Sequence, residues 1–329
     1  MKNYNDKIIR IIKEIIPEGT SIPCVLTDTL LLGKESVYRR IRGEVCFTLE
    51  EVIKLANKFE FSLDKALDIT RKETSYFSLT LPNSTVKIEG YGDRLSSFIS
   101  FFKKMKKDPN SMARYASNTL PYSFYFTHEN LARFLYFKWL YQSGEDLSHM
   151  TVKDIVIPKH VLDLQTQFVV ETKCLSNSVF ILDRNVFSSI KYDIECFYGL
   201  HLIDSEDIKL IQNELFSILD DLELMANNGA YNTGAKVEIY LSNIDLEATY
   251  SHFEYVDEQC AHLILYGISG VDTESTDVCE KQKIWIDSLK KNSTLISESG
   301  KMQRYGYLHS QRNEVHSLSD YFVKCTSSN

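Results

Sequence analysis

The sequence predicts two units: an all-α head of five short helices, followed by a mainly helical α+β body with a small antiparallel sheet. The chain has 329 residues, more than one hydrophobic core usually serves, since single cores stop growing near ~250–300 residues. Its net charge of −8 is unevenly divided, with +2 on residues 1–72 and −10 on the remainder. We therefore expect a head over residues 1–70, a linker over 71–92 and a body over 93–329.

The head shows helix signals in close succession. Residues 4–16 repeat isoleucine at helical spacing. Gly43 is suited to end a helix in the left-handed conformation. Thr48-Leu-Glu-Glu51 has the pattern of a capping box. The five predicted helices cover residues 4–16, 23–31 and 34–42, a fourth that opens at Thr48, and a fifth capped by Ser62.

The body shows mainly helical patterns and three strand-like stretches. In the stretches 235–241, 247–256 and 260–268, β-branched and aromatic residues alternate with polar ones, which predicts strands of an antiparallel sheet. The predicted helices are 93–107, 111–118, 128–142, 158–174, 183–198, a long one capped by Asp204, 274–291 and 300–318.

The third helix of the head has the polarity expected of a helix that reads DNA. Val37 and Ile41 lie four residues apart and face inward, which leaves the other faces polar. In a helix-turn-helix, the second helix of the motif presents polar side chains to base edges in the major groove. The predicted DNA-binding residues are Lys34, Glu35, Ser36, Tyr38, Arg39, Arg40 and Arg42.

The stretch Leu30–Glu44, followed by Thr48–Ala56 and Phe61–Asp64, resembles the lambda-repressor-like, Cro-type helix-turn-helix regulators. The resemblance implies a bundle of four or five helices whose third helix reads double-stranded DNA. It therefore implies a sequence-specific transcription regulator. The tail that begins at Trp285 is similar to tails of uncharacterised bacterial regulators, and this second similarity implies no activity.

Two positions depart from the pattern of that family. Leu31 stands where a turn glycine is usual, and Arg40 stands where an apolar residue usually anchors the third helix. We expect Ile41 to take over the anchoring, which would rotate the DNA-reading face by about one residue.

Heads of this kind usually act in pairs on half-sites about one helical turn (~34 Å) apart. We therefore expect a homodimer, with a body that dimerises or senses a small-molecule or protein effector. Two alternatives stay open at this point. The head could be a protein-interaction module that makes no contact with DNA, or the body could be an enzyme with a regulatory head.

The remaining candidate constellations are weak. Cys260 and His262 share one face of a predicted strand, but the sequence supplies neither further metal ligands nor an orienting acid at useful spacing. We therefore expect no catalytic residues, no metal and no cofactor. An aromatic cluster over residues 122–141 is expected to form ordinary core, with a ligand pocket as the alternative.

The sequence also bears on location. No stretch approaches the ~20 apolar residues needed to cross a bilayer, and the first residues lack the apolar run of a secretory signal. We expect a cytoplasmic protein with no membrane contact.

Overall fold

The computed structural model divides the chain into two compact units, residues 1–76 and residues 77–329. They are called the head and the body below, and each is described by itself. The residues that the structure describes are 4–17, 19–59, 61–63, 75–80, 87–147 and 149–327.

The described part of the head contains four helices: α1 (Tyr4–Ile15), α2 (Ile22–Leu30), α3 (Lys34–Ile41) and α4 (Leu49–Phe59). This finding corrects the expectation of a five-helix head. The expected fifth helix, capped by Ser62, falls mainly on residues 64–70, which lie outside the described residues.

All four helices contribute side chains to the core of the head. Ile8 and Ile12 of α1 face inward as their helical spacing predicts, whereas Ile15 is 39% exposed. The predicted capping box opens α4: the Thr48 amide donates to Glu51 Oε2 at 2.9 Å, and the Glu51 amide donates to Thr48 Oγ1 at 3.3 Å. The buried residues of this core are Ile8, Ile12, Ile16, Leu26, Leu30, Val37 and Leu55.

The turn between α2 and α3 contains a strained residue. Leu31, which ends α2, has a φ of +56° and a side chain that is 85% exposed. In this left-handed region the Cβ atom crowds the backbone carbonyl, which costs a non-glycine residue roughly 1–2 kcal/mol. The resemblance noted above places a glycine at this position, and the backbone conformation is one that glycine adopts without strain.

The described part of the body contains eight α-helices. The second-longest of these helices covers residues 205–228. It begins at a capping box in which Asp204 accepts hydrogen bonds from the amides of Glu206 and Asp207. It ends at Gly229, whose φ is +63°. None of the helices in the described residues is both long and apolar enough to span a membrane. The eight are α5 (Lys87–Met105), α6 (Tyr122–Tyr125), α7 (Glu129–Gln142), α8 (Lys159–Thr172), α9 (Ser188–Gly199), α10 (Ser205–Asn228), α11 (Thr276–Lys291) and α12 (Lys301–Ser327).

One eight-stranded sheet runs through the body in the order β1-β7-β6-β5-β2-β3-β4-β8. The central pairs β2–β3 and β3–β4 are parallel, and the other pairs are antiparallel. The strands are β1 (Ser78–Thr80), β2 (Met112–Ser117), β3 (Asn177–Leu182), β4 (Lys236–Leu241), β5 (Tyr250–Tyr255), β6 (Glu258–Tyr266), β7 (Ser269–Thr273) and β8 (Thr294–Leu295).

The sheet corrects the expected fold class, because it is large and mixed rather than small and antiparallel. Strands β4, β5 and β6 overlap the three stretches that we predicted as strands. By contrast, β2 replaces a predicted helix over 111–118, and β3 was not predicted. Central parallel strands are covered on both faces, so β3 is a nearly continuous buried run without the alternation that reveals a strand in a sequence.

The two faces of the sheet are covered unequally. On one face, Tyr115, Phe180 and Phe253 pack into a large core with side chains from α5 to α10 and from α12. On the other face, a smaller core joins the sheet to Ile286 and Leu289 of α11. The body is therefore a three-layer α/β/α arrangement with one thick and one thin helical layer.

Strand β1 lies at the edge of the sheet and begins two residues after the head ends. It pairs only with β7, with Ser78 opposite Asp272. Leu79 is 65% exposed, so backbone hydrogen bonds rather than side-chain burial hold this strand. Both β1 and the first residues of α5 fall within residues 71–92, which we expected to be a linker.

We expect Leu31→Gly to stabilise the head, because glycine removes the Cβ clash in the turn. Leu31→Ala is the matched comparison, since it removes the same exposed side chain but keeps Cβ. The free energy of unfolding of the glycine variant should exceed that of the alanine variant by about 0.5–1 kcal/mol, after the larger unfolded-state entropy of glycine is deducted. Native-state hydrogen exchange of the α2 amides in the full chain measures this difference. Equal protection in the two variants would show that the strain does not exceed the entropy cost of glycine, and greater protection in the alanine variant would show that the turn is unstrained.

Candidate functional site

Helix α3 is held to the head along a narrow strip. Among its eight residues, all of which are described, Val37 alone is buried, and Ile41 packs against the core at its side. The other faces are therefore available to a partner. Five of the predicted DNA-binding residues on α3 are exposed: Lys34, Glu35, Ser36, Tyr38 and Arg39. Arg42, which ends the helix, is exposed as well.

The exposed arginines contact two acidic side chains of the head. Arg42 Nε donates to Glu44 Oε1 at 2.7 Å, and Arg42 Nη2 lies 3.5 Å from Glu35 Oε1. Arg39 Nε lies 3.6 Å from Glu44 Oε2. The hydrogen bond from Arg42 lowers the pKa of Glu44 below its usual value, so Glu44 stays ionised beside both arginines. About half of each arginine side chain is exposed, and the guanidinium groups therefore remain accessible.

Arg40 is placed differently from the other predicted residues. Its Nε and Nη2 atoms donate to the two carboxylate oxygens of Glu51 at 2.9 and 2.8 Å, and its Nη1 donates to the Ser36 carbonyl at 3.2 Å. Both side chains of the ion pair are only 13% exposed. Arg40 thus joins α3 to α4 from within the head, and it anchors the helix by an ion pair where an apolar residue was expected.

Glu51 is fixed for this role by the capping box of α4. Burial raises the pKa of Glu51, but the hydrogen bonds from Arg40 and from the Thr48 amide outweigh this effect, and the pKa lies below its usual value. Asn5 of α1 adds a second tie, because its side chain accepts from the Phe47 amide at 3.0 Å and donates to the Arg40 carbonyl at 3.4 Å. The C-terminal end of α3 is therefore held from two sides.

Tyr38 has both an exposed and a packed part. It is 43% exposed, and its ring lines an apolar cavity of about 160 Å³ between α1, α2 and α3. Part of the side chain is thus accessible for a contact while part of it packs against the head. The other residues around this cavity are Ile9, Ile12, Lys13, Ile22, Pro23, Leu26, Ile41 and Phe47.

The body contains a buried polar cluster that the sequence did not reveal. His262 Nδ1 lies 2.7 Å from Asp272 Oδ1, and Arg94 Nη1 donates to Asp272 Oδ2 at 2.7 Å. We had expected no acid near His262. Asp272 reaches it because β6 and β7 form an antiparallel pair in which these two residues are opposite each other. The missing signal was β7 itself, which was not among the predicted strands.

A small cavity adjoins this cluster. It lies between α5, α8 and the face of the sheet that carries the large core, and His262 is one of its lining residues. Of the aromatic residues predicted over 122–141, Tyr122 lines this cavity, and Phe124 lines a separate pocket. Most of the others are buried in the large core, among them Phe134, Tyr136, Phe137 and Trp139.

The Cys260 thiol donates to the Ala261 carbonyl at 3.9 Å. Burial raises the pKa of the Cys260 thiol to about 12, which keeps it protonated. His262 Nδ1 is engaged with Asp272 instead. Within the described residues, no group of three or more histidine, cysteine or acidic side chains is arranged to hold a metal ion.

We expect the Arg40–Glu51 pair to stabilise the head with a coupling free energy of about 1.5–3 kcal/mol, the range for hydrogen bonds between charged groups. A double-mutant cycle with Arg40→Met and Glu51→Gln in the full chain, followed by urea unfolding of the head, measures this coupling. Glutamine keeps the capping box, so the cycle isolates the ion pair. The exposed pair Arg42–Glu44 is the control and should couple far more weakly. Additive losses at Arg40 and Glu51 would contradict the anchoring role.

The chain was also compared with known proteins. No protein-family model matches it, and no curated protein matches it significantly. Inferences about its function therefore rest on the geometry of α3 and of the cluster and cavity in the body.

Proposed function

We propose that the chain is a sequence-specific, double-stranded-DNA-binding transcription regulator that acts through α3. One observation carries the proposal: α3 presents Lys34, Arg39 and Arg42 outward, while Val37 and Arg40 hold the helix to the head. Such a helix, fixed along one strip and basic on its free faces, has the form needed to enter a major groove.

The roles of the individual residues follow from their exposure. Arg39 is the best candidate for reading a base, because a guanidinium group can donate to guanine O6 and N7 together. Lys34 and Arg42 lie near opposite ends of the helix and are suited to phosphate contacts. Arg40 is left out of this set, since its guanidinium group is already engaged by Glu51.

The acidic residues near α3 set a condition on binding. Glu35 and Glu44 already occupy Arg39 and Arg42 in part, so a phosphate must displace a carboxylate to reach them. This competition weakens contacts with arbitrary DNA. A matching base sequence supplies additional hydrogen bonds that compensate for it, and the carboxylates therefore favour specific over non-specific binding.

The proposal extends to the assembly. One α3 covers only a few base pairs, so we propose that the chain acts as a homodimer on paired half-sites, with the acidic body kept away from phosphate by its charge. Sedimentation of the full chain tests the dimer. A monomer that still binds duplex DNA tightly would contradict this part of the proposal alone.

We expect Arg39→Ala to weaken binding to the preferred duplex by about 1–3 kcal/mol without destabilising the head. The preferred duplex is first selected from a random pool with the full chain. Lys58→Ala is the matched control, because it removes an equal charge from an exposed position of α4. This variant should bind the duplex nearly as tightly as the unchanged protein does. If no duplex shows salt-sensitive binding, the head is better explained as a protein-interaction module.

We expect Glu44→Gln to increase the affinity for unrelated duplex DNA, because it frees Arg39 and Arg42 for phosphate. The slope of log K against log salt should become steeper by ~0.9 for each additional phosphate neutralised. Binding isotherms at several salt concentrations measure both effects, with Glu50→Gln on exposed α4 as the control. An unchanged slope would show that Glu44 does not compete with DNA.

A further inference from the structure

A row of polar side chains crosses the thick-layer face of the sheet. Tyr115 on β2 pairs with Ser251 on β5, Ser251 pairs with His262 on β6, and His262 pairs with Asp272 on β7. Residues paired directly across strands project from the same face. Tyr115, Ser251 and His262 are each less than a tenth exposed, so this polar row lies beneath the helices rather than in solvent.

The contact between His262 and Asp272 indicates which ring nitrogen of His262 carries a proton. The contact of 2.7 Å between Nδ1 and Asp272 Oδ1 requires a proton between the two atoms, and a carboxylate supplies none. Arg94 Nη2 also lies 3.3 Å from Nδ1, but the contact with Asp272 is shorter, and Nδ1 is therefore the donor to the carboxylate. Burial raises the pKa of Asp272, but the hydrogen bonds from His262 and Arg94 outweigh this effect and keep the carboxyl group ionised.

The positive charge of Arg94 and the negative charge of Asp272 balance each other in this cluster. Arg94 is buried and donates to both oxygens of Asp272, at 2.7 and 3.2 Å. One cation and one anion thus cancel, and a second cation would leave a net charge in an apolar surrounding. In the neutral histidine tautomer that carries its proton on Nδ1, the Nε2 atom is a hydrogen-bond acceptor.

The cavity beside His262 is almost entirely apolar and aromatic. Phe98 meets the His262 ring edge-on, with 5.3 Å between ring centroids. The guanidinium carbon of Arg94 lies over the Phe98 ring, 3.9 Å from its centroid. The Tyr115 hydroxyl is buried and has no hydrogen-bond partner among the described residues. The aromatic rings that line the cavity are Phe98, Phe102, Tyr115, Tyr122, Phe168 and Phe253.

We propose that this cavity binds a small neutral aromatic molecule that carries one O–H or N–H donor, of which phenol is the simplest. The donor would bond to the acceptor nitrogen of His262, and the ring would pack edge-to-face against the surrounding phenylalanines. A charged ligand does not fit, because Arg94 and Asp272 already neutralise each other. The proposal concerns the body alone and does not rest on the proposed binding of DNA by the head.

The size of the cavity limits the ligand further. Its volume is about 60 Å³, smaller than the ~150 Å³ of an apolar cavity known to admit benzene. The cavity as it stands is therefore too small for a ring, and a single ring enters only if lining side chains move. Phe98 and Phe168 are only partly buried and pack against each other at 5.8 Å, so they are the side chains placed to move.

Isothermal titration of the full chain with phenol and with toluene tests the proposal, because toluene has nearly the same shape but no donor. We expect phenol to bind, and we expect the ratio of phenol affinity to toluene affinity to fall about tenfold in His262→Phe, the effect of one lost hydrogen bond. His252→Gln is the matched control. His252 is also buried, but it lies on the opposite face of the sheet beside Arg114 and Gln259, and its variant should keep the ratio unchanged.

A second variant keeps the test decisive if His262→Phe does not fold. Ser251→Val adds volume between Tyr115 and His262 in a residue suited to a strand, and it should weaken both ligands together. Circular dichroism confirms the fold of each variant. Absence of phenol binding, an equal affinity ratio in His262→Phe, or unchanged binding in Ser251→Val would each overturn the proposal. None of these results bears on whether the head binds DNA.

Discussion

The position of α3 depends on the ion pair between Arg40 and Glu51. Only Val37 is buried on this helix, so apolar packing alone would leave its rotation weakly determined. The two planar groups meet through two hydrogen bonds, and this geometry permits one orientation of α3 against α4. Removing one partner of such a partly buried pair would leave the other charge without its compensation. Because Arg40 is turned toward Glu51, Arg39 and Arg42 are placed outward.

In the body, strand register has the corresponding role. Tyr115 is far from Ser251, His262 and Asp272 in the sequence, and the four residues become neighbours because four strands pair in one alignment. A shift of one residue in any pair would move a polar side chain to the opposite face. Arg94 fixes Asp272 from α5 and so joins the helical layer to this alignment.

Much of the head followed from the sequence, because its signals are local. The isoleucine spacing of α1 and the capping box at Thr48 each depend on residues within a few positions of one another. Strands β2 and β3 at the centre of the sheet did not follow, and β3 in particular is covered on both faces and lacks alternation. The inward placement of Arg40 and the contact between His262 and Asp272 depend on tertiary pairing, which no local pattern reports. The exposed residues of α3 could therefore be predicted from the sequence, whereas the partners of Arg40 and His262 could not.

The edge strand β1 is the least firmly held strand of the body. It has three residues, pairs with one neighbour and leaves Leu79 largely exposed. So short a strand, held mainly by its backbone, separates from the sheet at a lower free energy than the strands inside the body. Its release would expose the backbone groups of β7 that now pair with it, and β7 carries Asp272, the partner of His262 and Arg94. The exposure of a free sheet edge, and with it pairing to another chain, is thus limited by the three residues of β1.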